Sequence, residues 1–330
     1  MLRQASDAFF EEPEMLGLWI GFNLVVLALL ALDLGVFNRQ AHAVSLREAA
    51  IWSAVWVGLS LLFNLFVFLW LGKDAGLDFF TAYLIEKSLS VDNIFVFVLI
   101  FSAFVVPAEY QHRVLFWGVL GAIVMRGLLI LLGTALISFF HWLLYVFGAF
   151  LILTGIRLAR PHEQEIHPES NPLVRLARRF LPVTPGYEGP RFFVRKEGRR
   201  CITPLLLVLV VVETTDLLFA LDSIPAIFAI TLDPFIVYTS NICAILGLRA
   251  LYFLLAGLVD RFRYLRFGLA AVLVFVGVKL VLTDLYHISI GISLGVIACI
   301  LAIAVLASLL RTRREQAHPS PPDTPPAEAV

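Results

Sequence analysis

Glu213-Thr-Thr-Asp216-Leu-Leu-Phe-Ala-Leu-Asp222-Ser-Ile-Pro225 sets three carboxylates and a proline inside an apolar run from about 202 to 230, long enough to cross a bilayer. A carboxylate facing lipid at that depth costs roughly 3 kcal/mol even on lenient insertion scales, so such acids face a protein interior or an aqueous cavity. The stretch therefore predicts a membrane-embedded helix whose interior wants oxygen ligands or protons.

The same pattern occurs earlier. In Glu86-Lys-Ser-Leu-Ser-Val-Asp92-Asn93-Ile94, aligning Glu86 with Asp216 brings Asp92 onto Asp222, Asn93 onto Ser223 and Ile94 onto Ile224 without a gap. Each acidic run is followed by an apolar run with one arginine, Arg126 in the first copy and Arg249 in the second. This reads as a duplicated unit, the feature to look for first in a transporter.

Composition widens the same conclusion. Of 330 residues 60% are hydrophobic and 15% charged, and the mean hydropathy of +0.90 lies far outside the soluble range. Windows of membrane-crossing length fall near 15–37, 51–71, 78–106, 114–135, 138–156, 202–231, 235–257, 265–283 and 288–309. The expected fold is thus all-α, a polytopic transmembrane bundle of about nine helices, with an inverted repeat relating helices 3–5 to helices 6–8. The first window follows an acidic segment and is expected to be a retained helix rather than a signal peptide.

Orientation follows from the basic residues. With the N-terminus outside, the outer segments hold only Arg3 and Lys73, while nineteen of the 25 Lys and Arg fall on inner segments. A miscounted helix would have inverted every later loop and erased that bias. The expectation is a multi-pass protein of the cell inner membrane, N-terminus outside and C-terminus cytoplasmic. Its parts are an extracytoplasmic N-terminus (1–14), a first transmembrane half (15–156), a basic cytoplasmic loop (157–201), a second half (202–309) and a disordered Pro-rich tail (310–330). The loop reads as a solvated linker carrying the positive-inside bias, with a regulatory role or weak capture of metal by His162, Glu163 and His167 as the competing reading.

Cys201, Cys243 and Cys299 have no metal-type spacing and read as ordinary small apolar residues. No CxxC, zinc-type His pair or nucleotide-binding loop is present, so ATP-driven transport by this chain alone is disfavoured; no enzymatic activity and no nucleic-acid partner are expected. No tightly bound cofactor is expected.

Spacing then limits what the acids can do. Glu213 and Asp216 share a helical face, whereas the six-residue steps from Glu86 to Asp92 and from Asp216 to Asp222 turn about 240° in an ideal helix. Pro225 would release the Leu221 carbonyl, so unwinding near Asp222 is expected to reconcile the geometry and supply further oxygens. Six acids in the spans (Asp33, Glu86, Asp92, Glu213, Asp216, Asp222) face four bases (Lys87, Arg126, Arg249, Lys279), and Lys279 is placed to snorkel outward. The excess negative charge calls for a divalent cation or bound protons. Carboxylates, Asn93, hydroxyls and carbonyls suit hard cations such as Mn²⁺, Ca²⁺ or Mg²⁺.

The metal or transport residues are accordingly Glu86, Asp92, Asn93, Glu213, Asp216 and Asp222. Arg126 and Arg249 balance their charge, pairing with acids of the opposite repeat or standing in when the ion leaves. Asp33 is either a capping position or a cytoplasmic gate. Asn241, with Thr239 and Ser240, is an interhelical hydrogen-bond set or a second ligand set.

The segments 86–97 (Glu-Lys-Ser-Leu-Ser-Val-Asp-Asn-Ile-Phe-Val-Phe), 111–118 (Gln-His-Arg-Val-Leu-Phe-Trp-Gly) with Arg126, and 216–226 (Asp-Leu-Leu-Phe-Ala-Leu-Asp-Ser-Ile-Pro-Ala) resemble the TerC/Alx family of integral membrane proteins. The likeness spans roughly 15–310. It implies a manganese exporter, linked in some members to tellurium resistance or an alkaline-pH response, with Mn²⁺ as transported substrate. Proton exchange for metal is the coupling that buried acids suggest. A non-transporting membrane scaffold or stress sensor is the alternative. An intramembrane aspartyl protease is a remote one, because the Gly-x-Gly-Asp and Tyr-Asp contexts of that chemistry are missing. The lipid bilayer and a divalent ion are the expected partners; oligomeric state is not legible.

Overall fold

The computed structural model describes residues 13–32, 45–160, 182–196, 199–256, 265–286 and 288–317. Among them run α1 (Pro13–Leu32), α2 (Leu46–Trp70), α3 (Lys73–Ala103), α4 (Ala108–Phe139), α5 (Leu143–Ala159), a hairpin of β1 (Phe193–Lys196) and β2 (Arg199–Ile202), then α6 (Pro204–Phe228), α7 (Pro234–Leu246), α8 (Leu248–Leu255), α9 (Leu265–Val281) and α10 (Ile290–Ala317). The molecule is a polytopic helical bundle, and these helices fall on the nine apolar windows, the seventh being divided into α7 and α8.

Length and composition explain the elements. At 1.5 Å per residue, about 20 apolar residues cross a hydrocarbon core of about 30 Å, and six segments satisfy that requirement: Met15–Leu32, Leu46–Trp70, Ala108–Phe139, Pro204–Phe228, Pro234–Leu255 and Ile290–Ser308. Helix α3 is long enough but carries Glu86, Lys87 and Asp92 within its apolar length, and α5 and α9 have 17 residues each. Starts are set locally. Ser45 caps α2 by accepting from the Glu48 N–H, and Asp233 caps α7 by accepting from Phe235 and Ile236. Burial raises the Asp233 carboxyl above its ordinary range, the two backbone N–H bonds pulling the other way.

The central element is the seventh span, 83% of whose apolar window is buried, against 17% for α1. Helix α3 packs on α7, α6 and α2; α4 packs on α6 and α7. Helices α5 and α9 make the tightest pair. A Cβ at Gly148 would lie 2.8 Å from the Gly277 carbonyl, one at Gly277 2.7 Å from the Gly148 carbonyl, and one at Gly155 2.8 Å from the Ala270 carbonyl. Backbones approach this closely in a bilayer because small residues let them, where no hydrophobic effect drives helices together. Helix α1 leans on the bundle through side chains: Trp19 and Phe22 meet Phe235 and Tyr238 in edge-on or tilted ring contacts, and the Tyr238 hydroxyl donates to Asn23 Oδ1 at 2.8 Å.

Contacts between helix ends follow the alternation of the nine windows. At one side, Tyr187 donates to the Phe104 carbonyl at 2.7 Å, and the Arg266 Nε donates to the Leu158 carbonyl at 2.8 Å. At the other, Tyr145 and His141 meet Asp284, whose carboxyl is held below its ordinary range chiefly by the Tyr145 hydroxyl. Asp78 and Lys279 lie within electrostatic reach of one another on that same side. Lys279 is buried there rather than snorkelling to water.

Two local expectations need correcting. Helix α6 runs unbroken through Pro225 to Phe228. The proline lies only three residues from the helix end, so it removes a single ladder bond while Ile224, Ala226, Ile227 and Phe228 stay buried around it. The break falls instead at Gly247, between α7 and α8. A Cβ there would lie 2.8 Å from Lys87 Nζ and 3.1 Å from Trp56 Cβ, so a side chain would displace the Lys87 ammonium and press on Trp56. The basic loop also differs from a plain solvated linker, because residues 182–196 and 199–202 fold onto the bundle.

Candidate functional site

Depth can be counted from the helix ends. Asp78 on α3 interacts with Thr231, just past α6, so these two mark one level. Glu86 lies eight residues into α3 from Asp78 and Asp222 nine residues back from Thr231, about 12 and 13 Å respectively. The two antiparallel helices thus bring both acids to the same level, near the middle of a core about 30 Å thick.

Arg126 of α4 is the hub. It is fully buried, with Nε 3.1 Å from Asp216 Oδ2 and Nη2 2.9 Å from Asp216 Oδ1, a bidentate pair. Its Nη1 donates to Glu86 Oε1, and to Asn241 Oδ1 at 3.2 Å. Asn93 Nδ2 lies 3.5 Å from Asp216 Oδ1, completing the ring. Four helices, α3, α4, α6 and α7, therefore meet at one guanidinium. Arg126 pairs with Asp216 of α6 and also with Glu86 of α3. Asn241 serves as an interhelical hydrogen bond, whereas Thr239 and Ser240 bond to carbonyls of their own helix.

Beside this hub lies a cavity of about 60 Å³ lined by Glu86, Asn93, Arg126, Thr154, Asp222 and Ser223, with Leu89, Leu158, Phe219 and Leu273 as its apolar wall. Since ~10–15 Å³ suffices to hold one water, that is room for a few waters, or for an ion with part of its shell. Asp222 Oδ1 accepts from Thr154 Oγ1 at 3.2 Å and lies within electrostatic reach of Arg157. Glu86 Oε2 and Ser223 Oγ are buried without a hydrogen-bond partner among the described residues. Buried orphan oxygens of this kind call for water or a cation. Thr154 is a site residue that sequence reasoning misses. The usable signal is that α5 carries only Thr154 and Tyr145 as hydroxyl side chains.

The remaining candidates are more dispersed. Glu213 packs against Gly121 of α4, whose missing side chain makes room for the carboxylate, and its Oε2 is buried without a hydrogen-bond partner among the described residues. Arg249, on α8, shares a void of about 10 Å³ with Asp216. Asp92 belongs to α3, but its side chain lies outside the described residues, as does Asp33 altogether. Lys87, a span base with no role evident from sequence, donates to the Ala244 carbonyl at 3.1 Å, and Ser60 Oγ lies 3.4 Å from the Cys243 carbonyl. Both cap carbonyls at the Gly247 break, a favourable place for a cation at a helix C-terminus. Among the described residues, no group of three or more His, Cys, Asp or Glu is gathered at metal-holding distance.

A multi-pass bundle that spends four helices on burying carboxylates around one arginine is an integral membrane protein of transporter type. The comparisons with known proteins narrow this: the model of the TerC family of integral membrane proteins matches residues 71–316, and the chain belongs to that family. It is 57% identical over 297 residues to an uncharacterized membrane protein of Myxococcus xanthus, covering 90% of this chain and 93% of that one. It is 53% identical over 298 residues to the Escherichia coli K12 protein named membrane-bound redox modulator Alx, covering 88% and 93%. A membrane protein of Rickettsia bellii is 42% identical over 293 residues, covering 89% and 97%. No solved structure matches.

Proposed function

We propose that this chain is a secondary transporter that exports a divalent cation, Mn²⁺ foremost, by alternating access, with protons as the exchanged ion. The observation that carries the reading is the midplane cavity in which Glu86, Asn93, Asp222, Ser223 and Thr154 present oxygens next to Arg126. These are hard donors, matched to Mn²⁺, Mg²⁺ or Ca²⁺. Mn²⁺ is preferred through the family resemblance.

Arg126 and a cation compete for the same carboxylates. With the guanidinium seated on Glu86 and Asp216, its single positive charge offsets one of their two negative charges and leaves one uncompensated. A cation entering beside Asp222 attracts Glu86 away from Arg126, and protons returning to the acids release it. Asp92 joins Asp222 as a central ligand on the repeat alignment alone, and Glu213 serves as ligand or proton carrier. Helix pairing supports the inverted repeat: α3 on α7 has its counterpart in α6 on α4, while α3 on α6 and α5 on α9 are self-related contacts. The basic residues support an inner-membrane protein with its C-terminus in the cytoplasm.

The relatives' name invites a thiol-redox reading, but the three cysteines are free and lie on β2, α7 and α10. Cation binding is tested by melting the purified protein in detergent over a Mn²⁺ series. A ligand at a hundred times its Kd stabilises by about 2.7 kcal/mol, so Tm rises by several degrees in wild type and stays flat in Glu86→Gln and Asp222→Asn. A flat wild-type response to Mn²⁺, Mg²⁺ and Ca²⁺ alike would overturn the reading.

A further inference from the structure

The folded part of the long loop does something the transport site does not account for. Its register sets Arg195 opposite Arg200 and Lys196 opposite Arg199. Like charges directly opposed across a hairpin are unfavourable, and here two such pairs follow one another, one on each face of the hairpin. All four side chains are exposed, as is neighbouring Arg191. Glu188 answers one of them, Lys196, at 2.5 Å. The sequence between the strands contributes one more acid, Glu197. Positive charge remains in excess, concentrated in a few residues and held there by the fold.

The hairpin is also fixed in place at the membrane. Ile202 and Thr203 at its base bond to Pro182, Thr184, Phe192 and Arg191, and Thr203 leads directly into α6 at Pro204. The same segment docks on the ends of α3 and α4. Arg113 lies over the Phe192 ring at 5.4 Å, Trp117 meets Phe192 edge-on, Tyr110 packs against Tyr187, and Tyr187 bonds to the Phe104 carbonyl. Tryptophan and tyrosine gather at the headgroup level of a bilayer, so this ring of aromatics marks the interface. Phe193, 60% exposed at the foot of the hairpin, adds an apolar contact at that level.

We propose that the β1–β2 hairpin is a docking surface for anionic phospholipid headgroups of the membrane in which the chain sits. Charge complementarity selects the ligand. Each opposed pair, Arg195/Arg200 on one face and Lys196/Arg199 on the other, is relieved by a phosphate of its own placed between the two side chains, and arginine binds phosphate in a bidentate fork. Juxtamembrane basic clusters attract anionic lipid in this way. Continuity with α6 keeps the hairpin within reach of the headgroups. The engagement braces the start of α6, the helix that carries Glu213, Asp216 and Asp222.

The test is hydrogen exchange of the full chain in nanodiscs of phosphatidylcholine, with and without 30% phosphatidylglycerol. Exchange across 193–202 is expected to slow several-fold in the anionic discs. That protection should disappear in 0.5 M salt and in a variant carrying Arg195→Gln, Lys196→Gln, Arg199→Gln and Arg200→Gln. All four positions are exposed, and melting the variant beside the wild type verifies that its fold is kept. Equal exchange in the two discs would overturn the assignment. So would equal protection in neutral discs by inorganic phosphate or a short oligonucleotide, which would identify a general anion site or a nucleic-acid surface instead. The outcome does not depend on whether the chain transports metal.

Discussion

Helix α6 carries two aspartates six residues apart that the fold treats in opposite ways. Asp216 is clamped by Nε and Nη2 of Arg126 and approached by Asn93, whereas Asp222 accepts from a single threonine hydroxyl and borders a cavity. The first arrangement is what burial demands of a carboxylate: a bidentate partner, here one that also bonds Glu86 and Asn241. The second leaves lone pairs uncommitted at the same depth. A bonded network and a cavity with uncommitted oxygens are thus neighbours on one helix, Glu86 belongs to both, and the proposed transport assigns the ion to the second.

The largest effect that can break this division is at the hub. Arg126→Gln leaves Glu86 and Asp216 buried without their counter-charge, a loss of about 3–5 kcal/mol, seen as a collapse in Tm or in folded yield. A mild Tm change would mean that the clamped half is not structural. A smaller pair of changes sharpens the contrast. Asn241→Ala removes a bond to a charged group and costs about 1.5–3 kcal/mol. Thr154→Val, which removes the corresponding hydroxyl on the Asp222 side, costs about 1 kcal/mol because the carboxylate still borders the cavity. Equal losses, measured by denaturation of the two variants side by side, would erase the distinction between the halves.

The smallest effect serves as a control on both. At the end of α3, Val105 adopts φ 51° while Val106 N–H closes back on the Phe101 carbonyl at 2.9 Å. That left-handed position suits glycine and strains a β-branched residue. Val105→Gly should gain about 1 kcal/mol and raise Tm with ion flux unchanged, separating stability from transport. A lowered Tm would show that the turn is held by the valine side chain instead.

Much of this site is legible in the sequence, for a physical reason. Charge inside an apolar run is costly enough that its position alone marks a candidate site, which is why Glu86, Asp216, Asp222 and Arg126 stand out from their places along the chain, with Asn93 drawn in as the neighbour of Asp92. What escapes depends on partners distant in sequence. Thr154 is an ordinary hydroxyl until α5 is laid against α6. Gly121 matters only because Glu213 occupies the space of its side chain. The helix break is misplaced by sequence reasoning because proline is a local signal, whereas the break at Gly247 is set by Lys87, Ser60 and Trp56 arriving from other helices. The hairpin reads as linker because its arginines satisfy the positive-inside bias equally well without folding.

The central claim is that the carboxylate left uncommitted by the arginine is the one that handles the ion. It is tested most directly by the flux of radioactive Mn²⁺ into proteoliposomes, comparing wild type with Asp222→Asn under an imposed pH gradient. Asparagine preserves the shape and the contact with Thr154, so the variant should fold normally. The account predicts saturable, gradient-dependent flux in wild type and none in the variant. Undiminished flux in Asp222→Asn, from protein with wild-type Tm, would contradict it.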